Sequence, residues 1–247
     1  MIMNRPDGTV IETWQGWTRP KKDIHWKAGR SAMELAKAWF RNDTLSPPAE
    51  LIAALATISD ASAISIVSGV PERVTQLPER GEGRNHDLAL IAMVGTKQAT
   101  ICIEAKADEP FGSETIAQYL ETCKNKTDAG IATRAGYRIA HLLALLGVAP
   151  DEIFASPWLG VRYQLLAAVC GTAKQAEIDG SAFSVLIVHE FRTESTLEDN
   201  LIRNDADFRR FINVLGGNGV GYVPGTLVGP FTVDDIDCWV GKVITTV

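Results

Sequence analysis

Cysteine, methionine and histidine are scarce in this chain of 247 residues, at four each. Cys102, Cys123, Cys170 and Cys238 form no C-x-x-C pair, and Cys102 and Cys170 sit inside apolar segments. That excludes a disulfide framework or a zinc ribbon and predicts reduced thiols in a cytoplasmic protein. Long apolar runs are also missing. The longest candidate, residues 139–148, contains His141 and falls short of the ~18 apolar residues a membrane helix requires, so no membrane partner is expected. The first residues, MIMNRPDGTVIETW, lack the charged-then-apolar order of a secretion leader. With so few histidines and no Gly-x-Ser-x-Gly elbow, a serine hydrolase is a distant reading. The glycine clusters at 81–83 and 216–217 lack the strand-then-helix setting of a nucleotide loop. Excess positive charge is absent too. A formal net charge of -6 argues against broad adhesion to nucleic acid, though not against a local basic groove.

What is present is an ordinary globular composition, 46% hydrophobic and 22% charged, enough for a sizeable core. Residues 9–14 alternate like a short strand, and Arg19, Lys21, Lys22, Lys27 and Arg30 then gather around one acid, Asp23. This basic stretch reads first as a solvated face, although His25 and Trp26 among the cations would suit a nucleic-acid platform. The segment SAMELAKAWFR predicts a helix over 31–41, with Ser31 as N-cap and Glu34 completing a capping box. Pro47-Pro48 opens a second helix, and Pro71, Pro78 and the glycines at 81–83 read as loop. Later helices are predicted over 113–123, with Ser113 as cap, 134–146, 159–175 and 200–215. The run FSVLIV at 183–188 has the continuous apolar character of a strand buried on both faces. Residues 219–227 and 238–245 read as closing strands. Helices alternating with strands predict one α/β domain over 1–247, a central mixed sheet with helices on both faces, its core at about 28–191 and the segment 198–247 packed on it.

The chain is organised around residues 84–112, RNHDLALIAMVGTKQATICIEAKADEPFG. Two β-rich runs, 87–94 and 99–105, flank a turn at 95–98 and predict a hairpin. Closure about Thr96 and Lys97 sets Asp87 opposite Lys106 and Ala89 opposite Glu104, so Asp87, Glu104 and Lys106 share one face. A Glu and a Lys at the end of an apolar strand cost several kcal/mol if buried without partners, so they face solvent or belong to a site. Two carboxylates and an amine suit metal-assisted phosphodiester cleavage. Hard oxygen ligands hold Mg²⁺, and lysine stabilises developing charge. His86 reads as a loop residue bonded to backbone, and His189 as a structural histidine. Asp108 and Glu109 read equally as a charged turn or as neighbours of a metal.

These residues resemble the PD-(D/E)xK nuclease superfamily, with a strand bearing Asp87, a hairpin to a strand bearing Glu104-Ala105-Lys106, a helix, and a further buried strand at 183–188. SAMELAKAWF, Pro71-Glu72, EAKADEPFG, RYQLL and VLIVHEF together look similar to a bacterial branch of that superfamily whose function is uncharacterised. The resemblance implies a restriction-endonuclease-like core and a metal-dependent nuclease. Asp87, Glu104 and the carbonyl of Ala105 would ligate Mg²⁺ or Mn²⁺, and Lys106 would position or polarise the attacking water. The sequence departs from the pattern in having Asn85-His86 rather than Pro before Asp87. Accessory residues implied are Glu34, for which the capping role competes, and Gln164, adjacent to Tyr163 so that only one of the two faces the site. Arg162 reads either as a phosphate contact or as a solvated helix residue. The partner expected is nucleic acid, DNA before RNA, and cutting both strands of a duplex would favour a homodimer. The alternative is an inactive descendant that kept the fold as a binding or interaction module.

Overall fold

The computed structural model describes all residues except 22, 23, 25, 59–62 and 78–82. Lys22, Asp23, His25, Pro78 and the glycine at 81 therefore lie outside the described residues. The protein is α/β, with a seven-stranded mixed sheet and six α-helices among the described residues. The strands are β1 (Ile2–Met3), β2 (Ile64–Thr75), β3 (Arg84–Val94), β4 (Lys97–Lys106), β5 (Phe183–Arg192), β6 (Leu227–Val233) and β7 (Ile236–Thr246). Their spatial order is β1-β2-β3-β4-β5-β7-β6. The segment β2-β3-β4 is an antiparallel meander, and β5 then runs parallel to β4 and β7 parallel to β5.

Helices α1 (Ser31–Trp39) and α2 (Ala49–Leu55) cover one face of the sheet. They share a core with Leu88, Leu90, Ile101, Ile103, Ala105 and Ile187. On the other face lie α3 (Ile116–Asp128), α4 (Ala135–Ala144), α5 (Tyr163–Asp179) and α6 (Glu198–Val214). Their core includes Leu165, Val169, Leu186, Val188, Phe208 and Val240. Alternation along β4 and β5 thus divides the two cores, as period-two geometry requires. The strand β5 is buried from Phe183 to Phe191, the signature its apolar run predicts. Gly180, in the left-handed region at φ 64°, ends α5 where a side chain would be strained.

Several expectations are corrected. Residues 9–14 do not form a strand; β1 lies earlier, and Val10 makes only an isolated bridge to Asn4. Pro71 lies inside β2 rather than in a loop. It is tolerated because β1 covers β2 only at Ser68 and Gly69, which leaves the rest of β2 as an edge strand. Ser31 is the first residue of α1 and its N-cap is Arg30, so Glu34 closes no capping box; its Oε1 instead accepts from the Gly29 N–H at 2.8 Å. The true capping box belongs to Thr115 and Gln118 of α3, not to Ser113. Residues 219–226 precede a strand rather than form one, and only Leu227 of that run belongs to β6. No helix among the described residues is long and apolar enough to cross a membrane.

Candidate active site

The hairpin closes through Gly95 and Thr96, with Val94 paired to Lys97 and Leu88 to Ile103. Gly95, at φ 61°, supplies the positive φ such a tight loop needs. The expected loop was centred one residue later, so the predicted pairing of Asp87 with Lys106 is corrected. Continued one step past Leu88–Ile103, the observed register sets Asp87 across from Glu104. The slip is even in its effect on facing, and the three charged residues still meet. Asp87 Oδ2 accepts from the Ala105 N–H at 2.7 Å, and Lys106 Nζ donates to Glu104 Oε1 at 2.6 Å. Glu104 and Lys106 are buried, while Asp87 is half-buried.

The cluster is larger than the sequence suggests. Arg84 Nη2 donates to Glu104 Oε2, and Gln164 Nε2 of α5 donates to Glu104 Oε1 at 2.7 Å. Both oxygens of Glu104 are therefore held, by three donors. Glu72 of β2 lies opposite Asp87 of β3, in the gap of a ladder that pairs Pro71 with Leu88 and Arg73 with His86. Its backbone is left-handed at φ 53°, an uncommon state for a side chain of this kind, and its Oε2 accepts from Asn85 Nδ2 at 2.5 Å. At this point the pleat of β3 breaks. Arg84 and His86 both lie against Gly171 of α5, whereas Leu88, two residues on, belongs to the opposite core.

The electrostatics follow from burial and from an excess of carboxylates. Burial, and then the charge of Glu104, push Asp87 up to about 8. Glu72 is also raised, first by burial and then by Glu104, against the bond from Asn85. Burial is the largest single influence on Glu104 and pushes it up, but Lys106 and Arg84 together hold it below the usual range. Lys106 loses from burial and gains more from Glu104 and Asp87, so its amine is held above its ordinary value and stays an ammonium at neutral pH. His86 is forced down to about 3 by burial and then by Arg84. It is a buried strand residue whose Nε2 is 3.0 Å from Thr75 Oγ1, not a loop residue.

Of the accessory residues, Gln164 joins the cluster. Arg162 does not: its Nε donates to Asp207 Oδ2 at 2.7 Å and Nη1 to the Ser113 carbonyl, tying α5 to α6. Glu34 lies on α1, which covers the other sheet face, and its hydrogen bonds run to Gly29 and Lys37 rather than to Asp87, Glu104 or Lys106. Asp108 Oδ1 caps the start of α6 by accepting from the Leu197 N–H and Asn200 Nδ2. Glu109 Oε2 accepts from the Ala107 and Asp108 N–H groups of its own turn. His189 is structural, 2.8 Å from Thr245 Oγ1. Trp26, from the basic stretch, lies under the Arg19 guanidinium at 5.6 Å. Sequence reasoning missed Arg84 and Glu72. The only signal available for either was proximity in sequence to Asp87 and to Pro71.

Among the described residues no three His, Cys, Asp or Glu side chains already converge as a ready-made metal cage. The donors that do adjoin, the carboxylates of Asp87 and Glu104 and the backbone at Ala105, are hard oxygens. They fit Mg²⁺ or Mn²⁺, which retain several waters and need few protein ligands. The fold and this cluster define an α/β protein with a charged site at the ends of its central hairpin. The chain belongs to the domain of unknown function family DUF6946, whose model matches residues 9–247. Comparisons with characterised proteins and with solved structures returned no match.

Proposed function

We propose that this protein is a metal-dependent nuclease of PD-(D/E)xK type that hydrolyses phosphodiester bonds in nucleic acid. The observation that carries this reading is the joining of Asp87, Glu104 and Lys106 through the Ala105 N–H and the Glu104 carboxylate at the end of an antiparallel hairpin. The reading is supported by the elements around it, which a restriction-endonuclease-like core would need: the meander β2-β3-β4, the helix α5 over it, and β5 parallel to β4. Asp87, Glu104 and the carbonyl of Ala105 would hold Mg²⁺ or Mn²⁺, which supplies Lewis acidity toward the phosphate and the attacking water. Lys106, kept as an ammonium, is a donor only. Its role is to orient the water and stabilise charge on the phosphate, not to act as a base. Gln164 fixes the Glu104 carboxylate from the helix side.

DNA is the favoured substrate, the site of action is the cytoplasm, and a two-fold dimer would allow both strands of a duplex to be cut. A second reading, a binding module that kept the fold, is favoured by the complete satisfaction of Glu104 by Arg84, Lys106 and Gln164. Plasmid nicking in Mg²⁺ or Mn²⁺ separates the two. The nuclease reading expects nicking by the wild type and none by Asp87→Ala, Glu104→Ala or Lys106→Ala. A folded wild type that leaves the plasmid intact, or an equal rate in all three variants, sinks it.

A further inference from the structure

Glu104 presents two oxygens, and their occupants differ in kind. Oε1 takes Lys106 at 2.6 Å and Gln164 at 2.7 Å, whereas Oε2 takes only Arg84 among the described residues. A cation seated on Glu104 must share or take one of these places, and Oε2 has the single occupant. Arg84 is also the group best built to move. Its stem is fixed from behind, since a Cβ on Gly171 would lie 2.6 Å from Arg84 Cγ and 2.9 Å from its Cβ. Its head is held by one nitrogen, and Nε is buried with no hydrogen-bond partner among the described residues. A guanidinium with spare donors, hinged on a fixed stem beside a carboxylate, suits a phosphodiester, because its planar fork matches the two non-bridging phosphate oxygens.

We propose that Arg84 is an exchangeable cation of this site. It neutralises Glu104 Oε2 until a divalent cation takes that oxygen, and the displaced guanidinium then contacts the phosphodiester. No bond is made or broken in this exchange. Metal loading and phosphate capture become one linked event, each favouring the other. The inference rests on the nuclease reading and adds a residue to it.

The test compares wild type with Arg84→Met, first with Mg²⁺ or Mn²⁺ alone by calorimetry, then with a short duplex oligonucleotide in Ca²⁺ by fluorescence anisotropy. Losing the competitor should tighten divalent binding several-fold, while losing the phosphate contact should weaken oligonucleotide binding about ten-fold. Arg73→Met, which removes the same charge from the neighbouring strand, should leave both affinities near the wild-type values. This separates displacement from a general electrostatic effect. If Arg84→Met does not fold, Arg84→Lys carries the test, because its shorter arm and single ammonium weaken the hold on Oε2; divalent binding should again exceed that of the wild type. Metal binding by the wild type with equal or weaker binding in the Arg84 variants overturns this inference alone. Tightening matched by Arg73→Met, or oligonucleotide affinity unchanged in Arg84→Met, also overturns it. A wild type that binds no divalent cation overturns the nuclease reading and the inference with it.

Discussion

Two buried ionic clusters stand side by side on the same face of the sheet, and they are opposites. In one, Lys106 binds Glu104 and lies over the Phe111 ring at 5.6 Å. In the other, Lys242 of β7 donates to Asp205 at 2.7 Å, lies 3.5 Å from Glu190, and sits over the Phe208 ring at 5.8 Å. The two abut, since Lys106 and Glu190 are register partners across β4 and β5. Their charge balance differs. Around Lys242 the two carboxylates meet three cations, because Arg209 pairs with Asp205 and Arg192 with Glu190. Around Lys106, Glu72, Asp87 and Glu104 outnumber Arg84 and Lys106. Asp205 is therefore held low: burial, its largest influence, pushes it up but is overcome by Lys242 and Arg209. Asp87 is pushed up to about 8. Completed neutralisation marks a structural network, and a carboxylate surplus beside a left-handed Glu72 marks a site.

The sharpest way to break this contrast is to remove each lysine. Lys242→Met should destabilise the protein by about 1–3 kcal/mol in urea unfolding, because it removes a buried ammonium from Asp205 and Glu190 while Arg209 and Arg192 still hold those carboxylates, and should leave cleavage per folded molecule unchanged. Lys106→Met should lower nicking by ~10²–10³-fold, the cost of one lost charge-stabilising donor. If both variants lose activity equally, the two clusters are one.

A wider test uses acid. His189 is held down to about 4, by burial first, so its folded value lies below its ordinary 6.5. The associated stability is present above pH ~6.5 and lost as pH falls toward 4, with a slope of up to ~1.4 kcal/mol per pH unit. Urea midpoints measured from pH 7 to pH 4.5 should fall, and His189→Gln should flatten part of that fall.

Gly171→Ala should cost about 1–3 kcal/mol, because the new methyl meets Arg84 Cγ at 2.6 Å and the stem must shift. Metal-dependent cleavage should fall with it, whereas an alanine at Gly136, which meets no atom within 4 Å, should leave cleavage unchanged.

The smallest effect has the most telling sign. Asp87 is raised in the folded protein, so without a divalent cation its contribution to stability declines as pH rises from its ordinary value of 3.8 toward 8. Asp87→Asn should then be the more stable protein at pH 8, by about 1 kcal/mol or more. Asp205 has a depressed value, so its contribution is present above the unfolded value and lost only as pH falls through the folded one. Asp205→Asn should therefore be destabilising at pH 8. Equal signs in the two variants would erase the distinction between the clusters.

Much of this site was legible in the sequence. ICIEAK ends an apolar strand on two charges that burial forbids unless they are partnered, and an acid on the preceding strand supplies the rest. The hairpin was legible as well, although its loop was read one residue late, an error that left the facing of Asp87 intact. Gln164 was legible as one of two adjacent candidates. Arg84 was not, because strict alternation along β3 would send residues 84 and 86 to the face that holds Leu88. The break at Glu72 and Asp87 turns them to α5 instead, and glutamate carries no propensity for the left-handed backbone that accompanies it. Arg162 misled for another reason. Its partner Asp207 lies on a helix 45 positions away, and no local pattern announces such a contact.

A nuclease site of this kind requires Asp87 and Glu104 to act together on one cation. Calorimetry of Mg²⁺ binding to the wild type, Asp87→Ala, Glu104→Ala and Lys242→Met tests it most directly. One site is expected in the wild type and in Lys242→Met, and its loss in both carboxylate variants. Binding that survives in either folded carboxylate variant, or no binding at millimolar Mg²⁺ by a folded wild type, would contradict it.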